Sequence, residues 1–402
     1  TLNITIWLQA SAQANKAMSF SFRILRRSFC TSQPSSLSGS GTAGSRTSLA
    51  RKIYQERNLR QVVELFKKAS EADRFRTTTT IYDDTVRRLA TAKRFTWIEE
   101  ILEDQKKYKN FSKESFAVRL IVLYGKSGMF EQALKTFDGM PERNCERTVL
   151  SFNALLGACV ESKKFDRLQE IFREIPQRLS FSPDEFSYSI LMKGFCEMGS
   201  FDLAISALED MKNNRRAPNV VNYNTLLSYL YGNGRFSDGE KIWAQMKAAG
   251  VVPNFRTYKT RLTGLATEKK MSEAVDFVDA MRLRGVKPEL STFNTLIKGF
   301  CADGNLEEAK AWFHKIRASG LAPDDKTYAE LIPVCCEKGN FDLALELCEC
   351  VHRQLRSSAR PLLQRVVNGL FERSKVAEAR KLVEMVGSSD SCRFLLKMPS
   401  GF

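Results

Sequence analysis

Acidic residues are missing from the first 55 positions; Glu56 is the first. Histidine is nearly missing as well, with two in 402 residues, His314 and His352. Neither has a Cys or carboxylate at ligand spacing, so nothing supports a histidine-centred metal site. The ten cysteines contain no Cys-x-x-Cys pair and no even spacing, which argues against a zinc site or a disulfide framework. Cys335, Cys336, Cys348 and Cys350 read as small core residues, and Trp97, Trp243 and Trp312 as packing. No Gly-rich phosphate loop occurs, and no Glu-bearing His motif accompanies a Cys-x-x-Cys as in nucleobase deaminases. No catalytic residue, metal or cofactor is therefore expected. No apolar run reaches transmembrane length, so no membrane partner is expected either.

The acid-free stretch carries Lys16, Arg23, Arg26, Arg27, Arg46, Arg51 and Lys52 amid Ser, Thr and Ala. That is the composition of an organellar transit peptide. "MSFSFRILRRSFCTS" starts at Met18, and residues 1–17 read as upstream sequence ahead of that start. "RRSFCTS" resembles the cleavage sites of plant mitochondrial presequences, with cutting near Phe29. A mitochondrial address is favoured over a chloroplast one. "SQPSSLSGSGTAGS" is low-complexity linker, and residues 1–45 together form the targeting and flexible segment.

What the chain does have is a repeat. "VVNYNTLLSYLYGNGRFSDGEKIWAQMKAAGVVPN" fills 220–254, and "LSTFNTLIKGFCADGNLEEAKAWFHKIRASGLAPD" fills 290–324. Units run 79–113, 114–148, 149–184, 185–219, 220–254, 255–289, 290–324 and 325–359, with degenerate ones at about 44–78 and 360–394. Within 220–254, Tyr223, Leu226, Leu227 and Leu230 mark one helix face. "GNGR" interrupts; Phe236, Ile242, Trp243 and Met246 mark a second face; Gly250 and Pro253 end it. Each unit is thus a helical hairpin that cannot bury both faces alone. Stacked hairpins can. The expected fold is all-α, an α-solenoid of about 9–10 stacked 35-residue hairpins over 46–394, with a tail at 395–402.

The Trp/Leu-Gly/Tyr signature of the tetratricopeptide unit is missing. The pattern "VVNYNTLL…G…A…M…G…PN" resembles the pentatricopeptide repeat (PPR), clearly over 79–359 and loosely over 44–394. The resemblance implies one RNA base read per repeat by two or three side chains. The readers would be the residue after the first-helix aromatic and the residue closing the repeat. The pairs are Asn153 with Asp184, Ser189 with Asn219, Asn224 with Asn254, and Asn294 with Asp324. By family analogy Asn with Asp favours uracil, Asn with Asn a pyrimidine, and Ser with Asn adenine. A second explanation covers the closing residues: Asp184, Asn219, Asn254 and Asp324 stand where helix N-caps stand. Asn153, Asn224 and Asn294 lie inside helices, where Asn has poor propensity and no cap to make.

Other units lack usable readers. Their pairs are Asp83 with Lys113, Val118 with Thr148, Lys259 with Glu289, and Ala329 with Ala359. The formal charge is +16, and +9 remains for 56–402 once the seven N-terminal cations are set aside. Polyanion partners are favoured, with phosphates holding the chain and a few base contacts setting register. Candidate phosphate contacts are Lys193, Arg215, Arg216, Arg256, Lys259, Arg261, Lys298 and Lys326. Length, broken code and absent tail domain resemble the PPR proteins of plant mitochondrial ribosomes, small subunit favoured. The expected partners are then ribosomal RNA and ribosomal proteins. A transcript-specific factor for organellar messenger RNA is the alternative, and a protein-binding helical scaffold the alternative of another class.

Overall fold

The computed structural model describes residues 43–353, 360–387 and 396–399. The targeting segment expected within 1–45 falls almost wholly outside them, as does Ala359. Every regular element among the described residues is a helix. The described residues fall into two compact units, divided between Ile81 and Tyr82.

In the first unit, helices Ala43–Gln55 and Leu59–Ser70 form a hairpin followed by the single turn Asp73–Arg76. Asn58 caps the second helix by accepting from the N–H of Arg60 and Gln61. Val62, Val63 and Phe66 are buried at the 3–4 spacing of "LRQVVELFKKA". Phe75 meets the Phe66 ring edge-on at 5.2 Å.

The second unit repeats the hairpin in phase. Its first helices include Glu114–Lys126, Val149–Glu161, Glu185–Glu197, Val220–Gly232, Phe255–Thr267, Leu290–Ala302, Asp325–Lys338 and Arg360–Glu372. Their second helices include Phe236–Ala248, Met271–Leu283 and Leu306–Ala318. From Glu114–Lys126 onward each first helix packs on the next, whereas successive second helices touch sparsely. The first helices therefore form one layer and the second helices another. Close approach in the first layer requires a missing side chain: a Cβ on Gly125 would stand 2.5 Å from the Ala158 backbone.

The aromatics that open each unit drive this packing. Tyr82, Phe152, Tyr188, Tyr223, Tyr258, Phe293 and Tyr328 are all buried. Each buries a large apolar area and so locks the helix rotation. The next residue then takes the same place in each of these repeats: Asp83, Asn153, Ser189, Asn224, Lys259, Asn294 and Ala329. Gly250 ends its helix at φ 67°, the left-handed cap expected of "AAGVVPN".

Two junctions depart from that punctuation. The second helix of 114–148 is the nine-residue Phe130–Asp138, followed by a 3-10 turn at Pro141–Arg143 and left-handed Asn144. The extra residue of 149–184 is absorbed in the 15-residue helix Phe165–Leu179, which carries Pro176.

Candidate nucleic-acid interface

The residue closing each repeat begins the next helix. Asp184, Asn219, Asn254 and Asp324 are all N-caps, each within a reciprocal capping box. Their partners three residues on are Ser187, Asn222, Thr257 and Thr327. The capping reading of these positions is therefore realised. Glu289 stands at the same place without making a side-chain cap.

The in-helix asparagines turn to these caps. Asn153 Nδ2 donates to Asp184 Oδ1 at 3.0 Å, and Asn294 Nδ2 to Asp324 Oδ1 at 2.9 Å. Asn224 Nδ2 donates to Asn254 Oδ1 at 3.3 Å. Three of the four suggested pairs are thus in direct contact across the junction between repeats. The fourth is not. Ser189 accepts from Asn222 Nδ2 at 2.8 Å and donates to the Glu185 carbonyl, leaving Asn219 to its cap. Asn153 and Asn224 are 4% and 5% exposed, so neither side chain stands open to solvent.

The capping-box residue closes the circuit in two repeats. Ser187 Oγ donates to Asn153 Oδ1 at 2.6 Å, and Thr327 Oγ1 to Asn294 Oδ1 at 2.8 Å. Sequence reasoning missed this role, although "DEFS" and "DDKT" carry the capping-box spacing that signals it. Burial pushes the Asp324 carboxyl up. Hydrogen bonds from the Thr327 amide, Asn294, the Thr327 hydroxyl and the Lys326 amide outweigh that and hold it below its ordinary value.

Where no reader pair occurs, the same positions do other work. Asp83 takes an ion pair from Lys126 of the next first helix at 2.5 Å. Val118 is buried. Glu114 reaches forward to the N–H and hydroxyl of Thr148 and the N–H of Ser151, at 2.8–3.1 Å, capping the next first helix from the preceding one.

The suggested phosphate contacts divide. Lys193 is buried between Glu161, at 2.9 Å, and Glu197, at 3.5 Å; Tyr229 also donates to Glu197. Arg261 forms a two-point ion pair with Glu240, at 2.8 and 2.7 Å, beside the Trp243 and Phe277 rings. Burial pushes the Glu240 carboxyl up, but hydrogen bonds from Arg261 and Tyr231 bring it below its ordinary value. Lys193 and Arg261 therefore serve the seams between repeats. Arg256 is half-buried, and burial lowers its guanidinium. Arg216 is half-buried; Arg215, Lys259, Lys298 and Lys326 are exposed, with Lys298 3.9 Å from Glu330.

The surplus of positive charge is uneven. Residues 1–113 carry 21 Lys and Arg against 10 Asp and Glu, and 360–402 carry 8 against 4. Residues 114–359, which hold every suggested reader pair, carry 33 against 32. The +9 of 56–402 thus lies at the two ends rather than along the reader face. Among the described residues no group of three or more His, Cys, Asp or Glu is placed to hold a metal ion, and no helix is long and apolar enough to cross a membrane. Burial pushes the thiols of Cys159, Cys196, Cys301 and Cys335 up to about 12, the behaviour of core residues.

Comparison with known proteins agrees with this architecture. The model described as "PPR repeat family" matches 147–197, 218–267, 260–302 and 288–337. "PPR repeat" matches 186–215, and "Pentatricopeptide repeat domain" matches 118–162. Together they span more than half of the chain. Two curated relatives from Arabidopsis thaliana are small ribosomal subunit protein mS79 (rPPR3b), 55% identical, and small ribosomal subunit protein mS78 (rPPR3a), 54% identical. Each match runs over 166 residues, covering 41% of this chain and 42% of the relative. The chain thus matches less than half the length of these relatives. The crystal structure of the pentatricopeptide repeat protein PPR10 from maize superposes with a TM-score of 0.53, at 18% identity, over 88% of this chain and 49% of that one, a likeness of fold. A capped, in-phase array of 35-residue hairpins matched by these models places the chain in the pentatricopeptide repeat family.

Proposed function

We propose that this chain is an organellar RNA-binding protein of the mitochondrial ribosome, held to ribosomal RNA and neighbouring ribosomal proteins in the small subunit. The carrying observation is the 55% and 54% identity to two proteins named as small ribosomal subunit components. The face of the first-helix layer supports RNA as the ligand. It brings Asn153, Asn224 and Asn294 to equivalent places beside their caps, and short amides at fixed spacing suit base edges. Its interruptions at Val118, Lys259 and Ala329 suit a protein held with few base contacts. The middle of the array is nearly neutral, so the basic ends supply most of the phosphate grip, and exposed Arg215, Lys259, Lys298 and Lys326 add to it. The acid-free N-terminal composition and the ribosomal relatives together support a mitochondrial address over a chloroplast one.

Sedimentation of the tagged chain from mitochondrial extracts tests the reading. Co-migration with a ribosomal subunit, release by nuclease, and crosslinking to one ribosomal RNA segment are expected. Crosslinks to a single messenger away from ribosomes would favour the transcript-specific reading instead. An association that survives nuclease with no RNA crosslink would favour the protein-binding scaffold.

A further inference from the structure

We propose that the hairpin turn of repeat 79–113 is a second RNA contact, apart from the row of suggested reader pairs: an unpaired base stacks on Phe95 while Lys93 and Arg94 hold the phosphates beside it. This rests on the RNA-binding reading above and adds one contact to it.

The hairpin is made by the helices Thr79–Thr91 and Phe95–Gln105. The Tyr82 hydroxyl donates to Gln105 Oε1 at 2.7 Å and ties its far ends together. The turn lies at the opposite end, roughly 15 Å along the first helix from Asp83. Its shape is fixed by the backbone. The N–H groups of Lys93 and Arg94 donate to the carbonyls of Ala90 and Leu89, each at 2.9 Å, and Lys93 takes a left-handed φ of 55°. Asp83 is meanwhile engaged by Lys126, so this repeat has no pair suited to a base edge.

Phe95 is the anomaly. The residue that opens the second helix is buried at Phe130, Met271, Leu306 and Phe341 and half-buried in the remaining repeats. Phe95 is 43% exposed. Elsewhere the next first helix makes room. A Cβ on Gly299 would stand 2.4 Å from the Met271 sulfur, and one on Gly369 would stand 3.0 Å from the Phe341 ring. Leu123, itself buried, holds the corresponding place after 79–113, and Phe95 stays outside.

A single exposed ring is ordinary; its surroundings are not. Residues 91–96 are all exposed, and "TVRRLATAKRFTWI" at 85–98 carries four cations and no acid. Neither Lys93 nor Arg94 has an acidic partner among the described residues. The Arg94 guanidinium lies 5.2 Å from the Trp97 ring centre, which orients it and leaves its charge unneutralised. An aromatic face beside two unpaired cations on a rigid turn is the combination that binds single-stranded nucleic acid: the base meets the ring, and its phosphates meet the charges. Stacking of this kind is indifferent to base identity, because every base has a π-face.

The test measures affinity of the full chain for short oligouridylate and oligoadenylate strands across a salt series, with thermal melting alongside. Phe95→Ala should weaken both strands about tenfold and by the same factor, and Phe95→Trp should bind as the wild type does. Lys93→Gly should not lower the melting temperature, since glycine accepts the left-handed backbone, yet should reduce the log–log salt slope by about 0.7. Oligouridylate bearing 4-thiouridine should crosslink to the tryptic peptide that begins at Phe95. The proposal is overturned if Phe95→Ala binds both strands as the wild type does, if it weakens only one of them, or if Lys93→Gly leaves the salt slope unchanged. Unaltered RNA affinity with loss of a protein crosslink in mitochondrial extract would also overturn it, and would assign the ring to a protein partner. Failure of the wild type to bind either strand would sink the RNA reading itself, a result distinct from binding that ignores Phe95.

Discussion

Repeats 220–254 and 290–324 are near copies in sequence, yet they hold the following repeat differently. Both first helices span 13 residues, and both bury the opening ring and the Leu three residues on, Tyr223 with Leu226 and Phe293 with Leu296. The apolar layer is therefore the same. The polar seam is not. After 290–324, Asp324 and Thr327 satisfy Asn294 at both ends; after 220–254, Asn254 and Thr257 leave one end of Asn224 unmet. The second-helix seam diverges as well. Glu240 and Arg261 form an ion pair across one junction, where Lys310 and buried Leu331 occupy the corresponding positions of the other. Stacking is thus set by apolar residues common to both repeats, while the character of each seam turns on one or two polar residues. That division lets an array keep its fold while individual repeats change their relation to a ligand.

The largest expected effect tests the shared part. Leu226→Ala and Leu296→Ala should each cost about 2–5 kcal/mol, because each opens a cavity at a fully buried position. Chemical denaturation should give similar losses for the two. A loss confined to one would show that the apolar layers are not equivalent after all.

The seams should then separate the repeats. Arg261→Leu leaves Glu240 without its guanidinium in a part-buried site and should destabilise by about 1–3 kcal/mol. Adding Glu240→Lys reproduces the Lys310–Leu331 arrangement and should recover most of that loss, since a buried ion pair can be replaced by apolar contact at little cost. A double-mutant cycle read by denaturation measures the recovery. Additive losses would mean that Arg261 acts through Trp243 and Phe277 alone.

The repeat was legible in the sequence because its cause is local and apolar. An aromatic followed by Asn-Thr-Leu fixes helix rotation, and Gly250 with Pro253 fixes where the hairpin ends. The caps were legible for the same reason, since their partners lie three residues on. Partners of charged groups were not. Lys193 finds Glu161 across 32 residues, and Arg261 finds Glu240 across 21. Nothing in the spacing distinguishes such seam residues from exposed Lys259 or Lys326. A charge reversal at Arg261 would set two carboxylates together, so a test of phosphate contacts belongs on exposed Arg215, Lys259 and Lys326. The turns at Lys109–Ser112 and Pro141–Arg143 were also hidden, because both replace the Gly-x-x-Pro punctuation by which other junctions are read.

A smaller effect concerns the opening rings. Tyr188 accepts a hydrogen bond from Asn214 Nδ2 at 3.1 Å, whereas the Tyr223 hydroxyl is buried without a partner. Phe293 has no hydroxyl to satisfy. Tyr223→Phe should therefore be neutral or stabilising, and Tyr188→Phe should cost about 0.5–1.5 kcal/mol. Equal melting shifts for the two would contradict the unmet hydroxyl.

The smallest effect isolates the cap charge that distinguishes the two repeats. Asp and Asn cap helices about equally well, so Asp324→Asn changes the contact with Asn294 while keeping the cap. The folded Asp324 carboxyl titrates below its ordinary value of 3.8, because donated hydrogen bonds outweigh its burial. Its contribution is therefore fully present above that value and is lost as pH falls through the folded one. At neutral pH the variant should melt slightly below the wild type, by the equivalent of less than about 1 kcal/mol. As pH falls below 3.8 and through the folded value the gap should narrow and then close, because a protonated Asp324 is as neutral as Asn. The reciprocal change, Asn254→Asp, should open a gap of the opposite sign at neutral pH, installing in repeat 220–254 the charged cap of its near copy. A pH-independent difference between wild type and Asp324→Asn would mean that the carboxylate charge contributes nothing to the contact with Asn294, and that the two repeats differ in geometry alone.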